Sequence, residues 1–322
     1  MATDTTPSST GSPKRKIVII GITGRQGGAL CEHLYKKMDT WDIHGITRDL
    51  ESEHSKALLS KFPLIHLHKG DCLDTASLES AFTNAYAVFG VTNPFVARWT
   101  GSGNAHTDTD AEVVQGKNIV DACKKCNVKH YVFTSVASAQ DNTGVPTFDA
   151  KWEIEKYIQE SKIPCTIIAP VGFFENMLSP FAGLKQGVMP GLLKPGRTAQ
   201  MIAVTDIGYF AMNALENPSE WIGKRFEIAG DDMTMDEQCN IIAKVRHEEG
   251  QWKVSTPPDW VFKLFIPKAV GSLKKFLDEK GCHVDIKECR KVHPELLSFE
   301  KWLYSQGLDK AKLASPGWCV IQ

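Results

Sequence analysis

No stretch of this chain is long and apolar enough to cross a bilayer. Uninterrupted apolar runs such as Ile17–Ile20 are far shorter than the roughly 20 residues a spanning helix needs. Charge of one sign is not in excess either: 37 Lys and Arg stand against 38 Asp and Glu, a net charge of −1. Neither nucleic acid nor an anionic membrane is therefore the expected partner. Nine cysteines in 322 residues are too few for a disulfide scaffold and fit reduced thiols in the cytoplasm, with the nucleus as a second location. No G-x-S-x-G elbow is present, which excludes the α/β-hydrolase nucleophile, and no H-E-x-x-H occurs. The one C-x-x-C, Cys123 to Cys126, has no second pair to complete a zinc site. It closes a helix rather than opening one, where the dipole would acidify a thiol. No metal site is expected.

What is present is the material of a globular α/β protein. Apolar residues reach 42%, enough for a sizeable core, and Gly and Pro stay at ordinary levels. Residues 1–14 are rich in Ser, Thr and Pro, lack an apolar core segment and contain no Arg. A disordered tail is expected there, not a secretory or transit signal. From Lys16 onward short apolar runs alternate with helical segments. Strands are expected at Lys16–Ile22, Ile43–Thr47, Leu64–His68, Ala87–Thr92, His130–Ser135 and Cys165–Pro170. Helices are expected at Arg25–Met38, Glu51–Phe62, Thr75–Phe82, Asp110–Asn127 and Asp149–Ser161. Such alternation implies crossover connections and a parallel sheet covered on both faces, a Rossmann-type doubly wound α/β fold of strand order 3-2-1-4-5-6. Residues 15–170 should form this dinucleotide-binding domain, and 171–322 a smaller α+β lobe. That lobe starts loop-rich over 171–200. Helices follow at Asp206–Leu215 and Met235–Arg246 around a strand Lys224–Ala229, then at Trp260–Lys280 and Pro294–Gln306. Trp252, Trp260, Trp302 and Trp318 should pack its core.

The clearest chemistry is the segment GITGRQGG, which leaves the first strand and opens the first helix. Gly21 suits the tight turn, Gly24 the close approach of a pyrophosphate, and Gly27 close packing of helix on sheet. The anion would then lie on free N–H groups at the helix start, around Thr23, Arg25 and Gln26. The second strand ends in Thr47-Arg48, where enzymes selective for NAD carry an acidic residue. A guanidinium there favours the 2′-phosphate of NADP(H), although Asp49, Glu51 and Glu53 follow. Asp71 with Cys72 after the third strand, and Thr92 with Asn93 after the fourth, lie where open α/β sheets bind ligands.

Together these residues resemble the NmrA-like family, an atypical branch of the short-chain dehydrogenase/reductase superfamily. The resemblance runs from about Lys16 to Gly307. It rests on GITGRQGG, TR at Thr47-Arg48, GDCLD at Gly70–Asp74, VTN at Val91–Asn93, QGKNIVDAC at Gln115–Cys123, HYVFTS at His130–Ser135, FDAKWEIEKYI at Phe148–Ile158 and FFENML at Phe173–Leu178. It implies that Gly21, Gly24 and Gly27 hold pyrophosphate and that Arg48 holds the 2′-phosphate. It also implies that Thr92 and Asn93 lie by the ribose, that Lys151 lies near the nicotinamide ribose, and that the segment with Phe173, Glu175 and Asn176 lies over the nicotinamide. The pattern departs at Ser52 and Val114, where close relatives carry basic residues.

Chemistry at that site is open on sequence grounds. Members with ordinary activity place a Tyr four residues before the Lys, and here that position is Thr147. Either Lys151 itself relays the proton, with Ser135 at a strand end nearby, or the site only binds cofactor. The first alternative, slightly favoured, is an NADPH-dependent reductase of a small organic substrate. The second resembles the redox-sensor type within the family, which reports the NADPH/NADP⁺ ratio to a regulatory protein partner. A sensor could leave the space beside the nicotinamide filled by Phe173 and Phe174.

Overall fold

The computed structural model describes residues 13–94, 109–178, 188–191, 193–248, 250, 252–255 and 268–309. The expected tail at 1–14 lies almost wholly outside the described residues, as do Trp260, Trp318 and the first part of the Trp260–Lys280 helix.

Seven parallel strands form the central sheet: β1 (Arg15–Ile20), β2 (Trp41–Thr47), β3 (His66–Lys69), β4 (Ala87–Gly90), β5 (His130–Thr134), β6 (Cys165–Pro170) and, from far later in the chain, β10 (Arg225–Ile228). Their order is β10-β6-β5-β4-β1-β2-β3. This is the doubly wound order with one strand added. The sequence places Lys224–Ala229 in the second lobe. In the structure Arg225–Ile228 pairs in parallel with Ile167–Pro170 and extends the first sheet. A strand joins whichever edge offers free backbone groups, and nothing in its own residues records that choice.

The apolar strands read as continuous runs, yet their side chains divide by alternation. Ile17, Ile19, Ile43, Phe89 and Val132 face one core with Leu30, Leu34, Ile207 and Phe210. Those four come from the helices Arg25–Tyr35 and Val204–Glu216. Val18, Ile20, Ile46, Val88 and Phe133 face the other core with Leu78, Phe82, Ile119 and Ile154. They meet the helices Thr75–Phe82, Thr109–Lys125 and Pro146–Ser161.

The later part of the chain builds a third core. Phe174, Met233, Ile242, Phe299, Trp302 and Leu303 pack there with Trp252 at its margin. The stretch 171–200, expected to be loop-rich, contributes β7 (Gly172–Phe173), β8 (Val188–Pro190) and the start of β9 (Thr198–Ile202). β9 sits between β7 and β11 (Asp231–Thr234), and β8 pairs with β12 (Lys253–Ser255). Helices follow at Met235–Arg246, Lys268–Glu279, Ile286–Val292 and Phe299–Ser305. The first of these carries a full capping box between Thr234 and Glu237. Cys123 and Cys126 are free thiols, and burial pushes both above the ordinary thiol pKa. No described helix is long and apolar enough to cross a membrane.

Candidate functional site

The carboxyl ends of β1, β2, β4 and β5 converge on one edge of the sheet. There β1 ends at Ile20 and the chain turns at Gly21, whose φ of +67° is left-handed. The turn closes with Gly24 N–H donating to the Gly21 carbonyl at 2.8 Å. The helix then starts at Arg25 with Gly24 as its cap residue, and neither a capping side chain nor an acidic residue occupies its first turn. That leaves backbone N–H groups and the positive end of the helix dipole facing outward. Gly27 is buried against the turn: a Cβ there would lie 2.7 Å from the Gly21 carbonyl carbon and 2.9 Å from Ile22 Cα. Thr23 lies within the turn. Arg25 reaches across to the segment after β7, donating to Asn176 Oδ1 at 3.0 Å. Gln26 Oε1 is buried without a partner.

At the end of β2, Arg48 lines a cavity of about 330 Å³ together with Lys69, Gly70, Asp71, Asp74 and Ser77. Register explains the company, because Thr47 lies opposite Lys69. Lys69 is a second cation that sequence reasoning passed over; its signal was the strand end next to Arg48. Asp71 holds its own loop by accepting from Leu73 N–H at 2.8 Å. Cys72 is beside it, its thiol pushed up to about 12 by burial, so it is no thiolate at neutral pH.

Beyond the end of β4, Thr92 and Lys151 meet a residue the sequence reading did not single out. Glu112 is wholly buried, in the first turn of the helix Thr109–Lys125. Lys151 Nζ lies 3.1 Å from Glu112 Oε1 and donates to Thr92 Oγ1 at 2.7 Å, while Thr92 donates to the same Glu112 oxygen at 2.9 Å. The ammonium also reaches the Thr134 carbonyl at 3.3 Å and sits over the Phe133 ring. Among the described residues, Glu112 Oε2 has no hydrogen-bond partner. Lys151 lies further into its helix than expected, because the helix begins at Pro146, with proline in the first turn. Asn93 is held at its backbone by Gln115, which accepts from Asn93 N–H at 3.1 Å and donates to its carbonyl at 2.9 Å.

Two expected neighbours are occupied elsewhere. Ser135 donates to buried Glu155, which Arg225 of the added strand engages at 2.7 Å, so its hydroxyl is tied into that cluster. Phe174 is fully buried against Phe299 and Trp302, away from the cleft, while Phe173 packs against the first core. Glu175 turns inward: its Oε1 accepts from Val204 N–H at 3.0 Å and from Trp302 Nε1 at 3.1 Å. Burial raises its pKa, while these hydrogen bonds and Arg25 oppose the rise.

A family model described as "NmrA-like family" matches residues 13–303. The chain belongs to the NmrA-like family. A family domain-containing protein of Dictyostelium discoideum is 22% identical over 76% of this chain and 82% of its own length. The family oxidoreductase FrzB of Cladobotryum is 31% identical, but that match spans 51% of this chain and only 48% of FrzB. Among solved structures, NmrA, a negative transcriptional regulator, in complex with NAD, has a TM-score of 0.72 at 17% identity, covering 90% of this chain and 94% of NmrA. The NADPH-dependent quinone oxidoreductase QOR2 of Escherichia coli, complexed with NADPH, has a TM-score of 0.71 at 21% identity, covering 90% and 99%. At these identities the two structures establish the shared NmrA-type fold.

Proposed function

We propose that this chain is an NADP(H)-dependent oxidoreductase acting on a small organic substrate. The observation that carries the reading is the Lys151–Thr92–Glu112 cluster: a nearly buried ammonium held at the carboxyl edge of the sheet by a hydroxyl and a buried carboxylate. The surrounding residues fit a dinucleotide. The uncapped helix start around Gly21, Thr23, Gly24, Arg25, Gln26 and Gly27 suits the pyrophosphate. The cavity with Arg48 and Lys69 suits a 2′-phosphate, with Asp71 and Cys72 on the adenine side. Thr92 and Asn93 would flank the ribose, and the segment with Phe173, Glu175 and Asn176, tied to Arg25, would close over the nicotinamide. Bound NADPH supplies a hydride. Lys151 would give the proton that the substrate oxygen needs and take its replacement from solvent, with Thr92 and Glu112 holding the ammonium in place, since Thr147 stands where a tyrosine would otherwise act. That QOR2 and FrzB carry oxidoreductase names supports this reading.

The test is NADPH oxidation over a panel of aldehydes, ketones, quinones and enones, for the parent and for Lys151→Met. Turnover that falls by roughly 10²–10⁴-fold in the variant, with NADPH affinity little changed, supports the reductase. Tight NADP(H) binding without turnover of any panel member supports a second reading, which Thr147 and the regulatory role of NmrA favour. In that reading the protein senses the NADPH/NADP⁺ ratio and passes it to a regulatory protein partner.

A further inference from the structure

Away from the cofactor cleft, β2 and β3 gather four side chains with metal-binding chemistry. Asp42 and His44 stand two apart on β2, and His66 and His68 two apart on β3, so alternation puts all four on one face of the sheet. Register brings them together, with His44 opposite His66. His44 Nε2 lies 2.8 Å from Asp42 Oδ2, and His66 Nε2 lies 3.5 Å from Asp42 Oδ1. One ligand atom from each of Asp42, His44 and His66 falls within 4.8 Å of the others. We propose that Asp42, His44 and His66 form a binding site for a divalent transition-metal ion of the zinc type, with His68 orienting His44.

The geometry needs little change. Zinc–nitrogen and zinc–oxygen bonds of about 2.0–2.2 Å in a tetrahedron put ligand atoms about 3.3–3.5 Å apart, within a side-chain adjustment of what is seen. The second ring nitrogen of His44 is engaged as such sites require: Nδ1 lies 2.7 Å from His68 Nε2. Such a contact fixes the ring and the tautomer of a metal-bound imidazole. With an ion on His44 Nε2, the His44 proton sits on Nδ1 and is donated to His68 Nε2, and the His68 proton sits on its own Nδ1. Entry is open, since the Asp42 side chain is 38% and the His66 side chain 58% exposed. Lys16, opposite Asp42 on β1, is the nearest cation, and its amine is already directed to the Thr83 carbonyl at 2.8 Å. Two imidazoles and one carboxylate leave a fourth position for water, and their hard and borderline donors select zinc, cobalt or nickel over calcium. The site faces away from the glycine turn, near the amino ends of the strands, so it would act on the sheet edge rather than in hydride chemistry.

The experiment uses tag-free full-length protein. Calorimetry with Zn²⁺ should give one site, and Co²⁺ should give visible d–d absorption without the charge-transfer bands of a thiolate ligand. Saturating Zn²⁺ should raise Tm. His66→Ala and Asp42→Asn, both at exposed positions, should abolish the site, and His68→Phe should weaken it about tenfold. Cys126→Ser should leave it unchanged. Absence of a Zn²⁺ site in the parent, thiolate bands in the Co²⁺ spectrum, or full binding by the folded His66→Ala variant would overturn the proposal.

Discussion

Replacing Lys151 by Met removes a charge but keeps most of the volume, so its cost measures the buried pair. Glu112 is wholly inaccessible and the Lys151 side chain only 13% exposed. Breaking such a pair by deleting one partner leaves an uncompensated charge, usually at about 3–5 kcal/mol. Two features soften the loss here. The Thr92 hydroxyl still donates to Glu112, and Glu112 lies in the first turn of its helix, where the dipole favours an anion by about 0.3–1 kcal/mol. We therefore expect about 3 kcal/mol from Lys151→Met. The double change Lys151→Met with Glu112→Gln removes the stranded charge and should recover to within about 1 kcal/mol of the parent, about 2 kcal/mol better than Lys151→Met alone, so that the coupling in a double-mutant cycle is at least about 2 kcal/mol. Urea unfolding at pH 7, read with a constant m-value, supplies these numbers. A single variant that costs under about 1 kcal/mol, or a double variant as weak as the sum of the singles, would show that Glu112 and Lys151 do not depend on each other. The same cycle decides how the activity of Lys151 variants is read, because only a folded variant reports on proton transfer.

Three further outcomes are expected. Gly24→Val should abolish NADPH binding in calorimetry while the protein stays folded, since Gly24 has φ −90° and ψ 178°, an extended conformation that valine adopts. Gly27→Ala should instead lower Tm, because its Cβ would meet the backbone of the Gly21 turn. Arg48→Ala should cost NADPH about 1.5–3 kcal/mol and NADH little, and Lys69→Ala should cost NADPH no more than about 1 kcal/mol because that side chain is exposed; equal losses for both cofactors would remove the case for a 2′-phosphate site. The fully buried His130, its pKa lowered to about 4 by desolvation, stays neutral in the fold but gains a proton in the unfolded chain below pH 6.5, so stability falls with acid, by about 2 kcal/mol at pH 5; urea unfolding of His130→Gln should lack that loss between pH 7 and 5.

The fold was legible because its signals are local. A strand, a glycine turn and a helix start occur in one unbroken segment at 16–35, and β4, β5 and β6 are each a short, wholly buried run. What failed were assignments that depend on distant partners. Arg225–Ile228 is strand-like by its own residues, but its place beside β6 depends on a free edge 58 residues earlier, as its register with Ile167–Pro170 shows. The helix containing Lys151 begins at Pro146, three residues before the expected Asp149, because proline suits a first turn where no N–H is needed.

The site was legible where the backbone is the ligand and obscure where side chains hold one another. Glu112 shows why, and shows that a signal was there. Along its helix the buried residues Gln115, Gly116, Ile119, Val120 and Cys123 recur at helical spacing, and Glu112 falls on the same stripe. A carboxylate on an apolar stripe is costly unless a cation meets it, so its position announces a buried partner without naming it. The same reasoning applies to Glu155, between Ile154 and Ile158, and to Asp206, beside Ile207 and Phe210. Their partners in the structure are Arg225 and His293. Three inward carboxylates thus answer two cations and one imidazole from other elements. Two of these pairs, Glu155–Arg225 and Asp206–His293, join the first part of the chain to the later part or the later elements to each other. The third, Glu112–Lys151, stands at the carboxyl edge of the sheet with one carboxylate oxygen unpartnered among the described residues. An ion pair that only held helices together would gain from satisfying that oxygen. Oε1, by contrast, holds both Lys151 and Thr92, so the geometry the pair fixes is that of the proposed proton donor.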